Sequence, residues 1–169
     1  MKRVVVIGSG GSGKSTFSRQ LGEVTGLPVV HLDKLYWHAG WVKTPADEWQ
    51  AIVQRELDKP EWIMDGNFGG TRAIRLAACD TVIFLDLPRW LCMYRIVKRT
   101  IKYHKGTRPD MAEGCEERFD PEFLLWVWNY PSSGRKRVIQ ELDELADKEI
   151  ITLKSRTEVT DFLAGFSSH

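Results

Sequence analysis

One octapeptide constrains this chain more than any other feature: Gly8-Ser9-Gly10-Gly11-Ser12-Gly13-Lys14-Ser15. It satisfies the spacing GxxxxGK[ST]. It also stands between a short apolar run, Val4 to Ile7, and a helical pattern from Lys14 to Val24 that Gly26 and Pro28 close. Strand, glycine turn and helix together form the context that gives such a pattern meaning. Glycines let the backbone curl until several N–H groups point inward, and the helix behind adds the positive end of its dipole. A nest of this kind binds phosphate. Lys14 is then placed to reach the β- and γ-phosphates of a nucleoside triphosphate, the Ser15 hydroxyl to coordinate Mg²⁺, and Thr16 to assist at the α-phosphate. ATP and Mg²⁺ are the expected cofactors.

The same segment matches GxGxxG through Gly8, Gly10 and Gly13, and Asp33 follows about 20 residues on, where a dinucleotide fold places its ribose-binding acid. Lys14-Ser15-Thr16 decides between the two. A cation and two hydroxyls in a row suit phosphate and metal, whereas close helix–sheet packing behind a third glycine needs no such run.

Further along, apolar runs alternate with helical patterns, which predicts a parallel sheet covered by helices. Strands are expected over 28–32, 62–64, 81–85 and 150–153. Helices are expected over 45–57 (Thr44 as N-cap), 88–102, 122–130, 135–146 and 158–163. From 103 to 121 the pattern breaks around Gly106, Pro109 and Gly114, and this stretch reads as a mobile lid. The expected fold class is α/β: a three-layer P-loop NTPase fold with a parallel five-stranded sheet and a lid insertion, 1–169 forming one domain. Hydrophobic residues at 43% suffice for its core.

Ligand in such a sheet is expected at the strands' C-terminal edge, where Asp33, Asp65 and Asp86 stand. Asp65, beside Gly66 and Asn67, is the candidate acid for the Mg²⁺ shell, and Asp33 the acceptor-side base or substrate binder. Asp86 reads as a helix cap. Arg95, Arg99 and Lys102 share one helix face, with Lys98, Lys105 and Arg108 extending the cluster; Arg95 and Arg99 are candidates to stabilise a transferring phosphoryl group. Asn67, Arg72 and Arg75 are candidate acceptor ligands, the arginines for a phosphate or carboxylate. Trp37 and Trp41 offer rings on which a planar acceptor would stack.

Charge argues against one class of function and leaves room for a local basic patch. Twenty-four Lys plus Arg against 23 Asp plus Glu leave +1, too little excess for a protein that coats DNA. Cys79, Cys92 and Cys115 share no metal-like spacing. No segment approaches ~18 apolar residues, so no membrane span and a cytoplasmic location are expected. Oligomeric state is not legible.

Taken together, these parts resemble the adenylate kinase-like and shikimate kinase-like small P-loop kinases. The order is similar: loop Gly8 to Ser15, Asp33 after strand two, Asp65-Gly66 after strand three, then Arg95-x-x-x-Arg99 before a lid. His31-Leu32-Asp33-Lys34-Leu35-Tyr36-Trp37, Trp62-Ile63-Met64-Asp65-Gly66-Asn67-Phe68, Phe84-Leu85-Asp86-Leu87-Pro88-Arg89 and Arg108-Pro109-Asp110-Met111 look like signatures of bacterial adenylate kinase-related proteins called DNA topology modulation proteins. The resemblance implies sheet order 2-3-1-4-5, a lid over ATP, and a loop resembling Leu153-Lys154-Ser155-Arg156 against adenine, with Ser155 and Arg156 as nucleotide contacts. Where adenylate kinases place Phe-Pro-Arg, Asn67-Phe68-Gly69 stands here, a departure that bears on AMP as acceptor. The expected activity is phosphoryl transfer to a small-molecule acceptor, nucleotides and nucleosides among the candidates. The alternative is a nucleotide-dependent regulatory or DNA-associated protein with slow ATPase activity.

Overall fold

Alternation along the first strand sorts the core into two halves. In the computed structural model, which describes residues 1–104 and 106–166, β1 (Arg3–Gly8) is buried on both faces from Val4 onward. Val4 and Val6 face one side, against Phe17 and Leu21 of α1 (Lys14–Thr25) and Val159 and Phe162 of α8 (Arg156–Ala164). Val5 and Ile7 face the other, against Trp49, Val53 and Leu57 of α3 (Ala46–Leu57), Leu76 of α4 (Gly69–Ala78), and Val138 and Leu142 of α7 (Gly134–Asp143). Side chains of period two thus demand helices on both faces.

Parallel partners complete the sheet: β2 (Val29–His31), β5 (Trp62–Asp65), β6 (Thr81–Leu85) and β7 (Glu149–Leu153), in the order β2-β5-β1-β6-β7. Val6 pairs with Asp65 and Gly8 with Leu85, so Asp65, the glycine loop and the end of β6 emerge at one edge. A two-stranded hairpin, β3 (Trp37–His38) and β4 (Val42–Lys43), lies apart from the sheet. A third cluster joins Leu91, Cys92 and Ile96 of α5 (Arg89–Lys102) to Val127 of α6 (Pro121–Asn129). Among the described residues, no helix is long and apolar enough to cross a membrane.

Several local expectations are corrected. Asp33 does not end a strand: it lies in the first turn of a short helix, α2 (Leu32–Tyr36). Thr44 caps no helix. Its hydroxyl donates to the Tyr36 carbonyl at 2.7 Å and closes the hairpin, and Pro45 occupies the cap position. Asp86 is no cap either, because its carboxylate takes two hydrogen bonds from Arg135, at 2.7 and 2.8 Å. Part of the expected lid, 111–117, packs against the hairpin. Met111, Cys115 and Glu117 are buried, and Gly114 O and Glu116 O accept from Gly40 N–H and Trp41 Nε1–H, both at 3.0 Å. Lys105 falls outside the described residues.

Candidate active site

The glycine loop is shaped by contacts that leave no room for a side chain. Gly11 has φ +73°, and a Cβ there would stand 2.3 Å from the Cys92 carbonyl oxygen; one on Gly10 would stand 2.6 Å from the Phe123 ring. Gly13, at φ +93°, leads into α1. The loop is also braced from behind. Asn67 brackets Gly8, accepting from its N–H at 3.2 Å and donating to its carbonyl at 2.7 Å. Inside the loop, the Ser9 and Ser12 hydroxyls are buried, Ser12 with no hydrogen-bond partner among the described residues and Ser9 beside the Cys92 thiol. Buried hydroxyls, a glycine cradle and the N-terminus of a twelve-residue helix form a donor set that fits a polyphosphate.

Lys14 folds into this cradle. Its Nζ donates to the Gly8 and Ser9 carbonyls at 3.0 and 2.8 Å. Burial lowers its pKa, opposed by the charges of Asp33 and Asp65. Burial likewise raises the Asp33 carboxyl, opposed chiefly by Lys14. The two form a partly compensated pair at the floor of a cleft of about 1020 Å³. Ser15, Thr16, Asp33, Trp37, Asn67, Arg95, Arg99 and Arg156 all line it.

The two acids of the site stand at different depths. Asp33 faces the cleft, whereas Asp65 is 4% exposed and its two oxygens accept from or face His31 Nδ1 at 3.1 Å each. That contact raises the His31 pKa above its ordinary 6.5. A raised histidine contributes stability that is fully present below the unfolded value and lost as pH rises through the folded one. Wild type is therefore expected to melt above His31→Gln at pH values below 6.5, the margin shrinking at higher pH. Melting temperatures of both proteins across a pH series check this, and a margin that grows with pH contradicts it.

Two expected acceptor ligands are corrected by their partners. Arg75 is fully buried, and its guanidinium donates to the Gly66, Asn67 and Phe68 carbonyls at 2.9, 3.1 and 3.0 Å. It holds the turn that carries Asn67. Burial pulls it down to about 9, which leaves it cationic at neutral pH. Arg72 is engaged by Glu141, its Nη2 donating at 2.6 Å, and neither arginine reaches the cleft. Ser155 caps α8, accepting from Glu158 N–H at 3.1 Å, while its neighbour Arg156 lines the cleft with Val159 and Thr160.

Arg95 donates to the Ser12 carbonyl at 2.8 Å, which ties α5 to the loop. Arg99 is held by a residue that sequence reasoning passed over. Glu117, with a side chain 5% exposed, accepts from Arg99 Nε at 2.9 Å and pairs with Arg108 Nε at 3.0 Å. One buried carboxylate thus sets two arginines from two stretches of chain. The available signal was two cations, Arg99 and Arg108, flanking a glycine-bearing segment with no acid assigned to them. Glu117→Gln keeps the shape and removes the charge, so Arg99 loses its ion pair and Arg108 is left with Asp110 alone. Turnover is expected to fall on the order of 10²-fold, because small misplacement of charge-stabilising groups is felt strongly. Steady-state kinetics of the variant measure it; an unchanged kcat contradicts the assignment.

The hairpin presents Trp37 and Trp41 to the cleft, ring centroids 5.5 Å apart and inclined 71°. Trp41 has φ +64°, a conformation a bulky residue rarely adopts. Its neighbour Gly40 is also left-handed, at φ +74°, and the hydrogen bonds from Gly40 and Trp41 to the 114–116 segment hold both in place. Strain of this kind is retained where it aims a side chain at a site. Among the described residues, no group of three or more His, Cys, Asp or Glu side chains is arranged to hold a metal. One hydroxyl, one acid and the ligand's own phosphates suit Mg²⁺, which keeps several waters and takes few protein ligands.

No protein-family profile matches this sequence, and no curated protein does. Among solved structures, an unliganded sugar kinase from Janibacter sp. HTCC2649 superposes with a TM-score of 0.50 over 97% of this chain and 93% of its own. The two are 19% identical, and at that level the likeness speaks for the fold alone. The class so defined is an α/β fold with a five-stranded parallel sheet. The resemblance to adenylate kinase-like and DNA topology modulation proteins rests on the sequence motifs.

Proposed function

We propose that this chain is a P-loop kinase that transfers the γ-phosphoryl group of ATP, with Mg²⁺, to a small acceptor held beside Asp33. The observation that carries the reading is the glycine cradle at the edge of the parallel sheet, opening into one cleft with Lys14, Arg95, Arg99 and Asp33 on its wall. A kinase-named neighbour of the same fold supports it at a coarse level.

Each part has a task in phosphoryl transfer, which is mostly positioning and charge stabilisation. Backbone N–H groups of the loop bind the β- and γ-phosphates, and Lys14 bridges them. Bound Mg²⁺ would supply charge neutralisation there with the Ser15 hydroxyl as its ligand; Asp33 is the acid that shares the cleft, whereas Asp65 stands buried against His31 and off the cleft lining. Arg95 and Arg99 face the transferring group from α5, and Glu117 sets the second of them. Arg156, Val159 and Thr160, which also line the cleft, are suited to the nucleotide base. Asp33 orients or deprotonates the acceptor hydroxyl; its raised pKa brings it closer to the range in which a carboxylate serves as a base. Trp37 and Trp41 offer an acceptor a ring platform. With Arg72 and Arg75 engaged elsewhere, the expected phosphate ligands of an AMP-like acceptor are absent from the cleft lining. A DNA-associated ATPase gains no support, since Arg95 and Arg99 turn into the cleft.

The test is ADP release with Mg²⁺ and ATP across nucleosides, nucleoside monophosphates, shikimate-like alcohols and DNA. One small acceptor is expected to accelerate it. Acceleration by DNA alone, or by nothing, overturns the reading.

A further inference from the structure

Helix α5 has three faces with three occupations. Leu91, Cys92 and Ile96 pack inward against α6, and Arg95 and Arg99 line the cleft. The third face carries Trp90, Tyr94, Val97 and Ile101, exposed by 67, 60, 42 and 74%. At 100° per residue these four lie on one stripe, opposite the two arginines. Leu125 and Trp128, one turn apart on the neighbouring α6, are exposed as well, by 60 and 48%. The Arg89 guanidinium, 4.2 Å over the Trp128 ring, joins that end of α6 to the start of α5. Single exposed apolar residues need no explanation, but a contiguous stripe marks an interaction surface.

We propose that a second copy of this chain docks on this face, α5 packing against its counterpart across a two-fold axis. Three features on the helix favour that occupant. First, the stripe repeats at 4-3-4 spacing, the pattern with which one helix seats knobs into the holes of another. Second, the four α5 residues of the stripe carry no charge; Lys98 and Lys102 stand beside them and Arg89 lies over the Trp128 ring, as cations do at an interface rim. Third, the open fractions of these six side chains amount to on the order of 700 Å² of surface, close to the ~800 Å² per partner of a standard stable interface. A face of one helix that meets itself is self-complementary, as a closed two-fold dimer requires. The cleft-lining arginines on the far side of each α5 then sit on a helix braced by its twin.

Sedimentation equilibrium of the full chain at micromolar concentrations tests this. The expected mass is twice the 19.4 kDa of the chain. Tyr94→Glu combined with Ile101→Glu, both at exposed positions, is expected to raise the dimer dissociation constant at least roughly 30-fold while melting near wild type. Val42→Glu, exposed on the hairpin instead, is expected to leave it unchanged. Three results overturn the proposal: wild type at single-chain mass throughout, a double variant that dimerises as wild type does, or single copies that bind phosphatidylglycerol vesicles through this face. None of them depends on the catalytic reading.

Discussion

Replacing Lys14 with alanine is expected to lower kcat for ATP turnover by roughly 10²–10³-fold with the fold intact. The magnitude follows from where the charge sits. Nζ is held between the Gly8 and Ser9 carbonyls at 3.0 and 2.8 Å, inside the curl of the loop, so its cation meets phosphate with little water between. Coulomb interactions gain several-fold in strength when solvent is thinned in this way. Burial weakens the charge, and Asp33 and Asp65 restore it. Alanine also leaves the buried Asp33 carboxyl without its chief opposing charge, so a lower melting temperature is expected beside the kinetic effect. ADP release and a melting curve on the same preparation separate the two effects. Unchanged kcat in a folded variant contradicts the role given to Lys14.

Gly11→Ala is expected to act first on stability, by on the order of 3 kcal/mol. The left-handed backbone accounts for about 1–2 kcal/mol of this and overpacking for about 1–3. The clash cannot be relieved by a rotamer change, because the nearest atom is the Cys92 carbonyl oxygen at 2.3 Å, on the backbone of α5. Either the loop or the helix must shift, and α5 carries Arg95 and Arg99. For a chain of this length the loss corresponds to a melting temperature lower by about 6–12 °C. Gly26→Ala is the internal control. Its φ of +76° is nearly the same, but a Cβ there meets nothing within 4 Å, so only the backbone part, about 1 kcal/mol, is expected. Equal shifts in the two variants would falsify the claim that the Cys92 contact shapes the loop.

What could be read from the residues follows from how local each signal is. Val4 to Ile7, the glycine loop and Lys14 to Val24 declare themselves because strand, turn and helix are each specified by neighbours in sequence. The i, i+4 spacing of Arg95 and Arg99 put them on one face, and the structure brings both to the cleft. Helix α4 was illegible because it opens on Gly69-Gly70, and glycines inside a helix weaken the pattern. With α4 unread, Arg72 and Arg75 looked free, whereas its geometry turns one onto Glu141 and the other onto the 66–68 carbonyls. Glu117 lay hidden for a different reason. Its meaning comes from Arg99, on another element, and no local pattern announces a buried acid in a loop. The bond between His31 and Asp65 is likewise non-local: it exists because β2 and β5 are neighbours in the sheet with these two residues in register.

The most direct test of phosphoryl transfer is ³¹P NMR of the protein with Mg²⁺, ATP and the acceptor that most accelerates ADP release. A phosphomonoester or phosphoanhydride resonance on the acceptor, growing in step with ADP and lost in Lys14→Ala, is the predicted result. ADP accompanied only by inorganic phosphate would contradict it, leaving a nucleotide-binding hydrolase in place of a kinase.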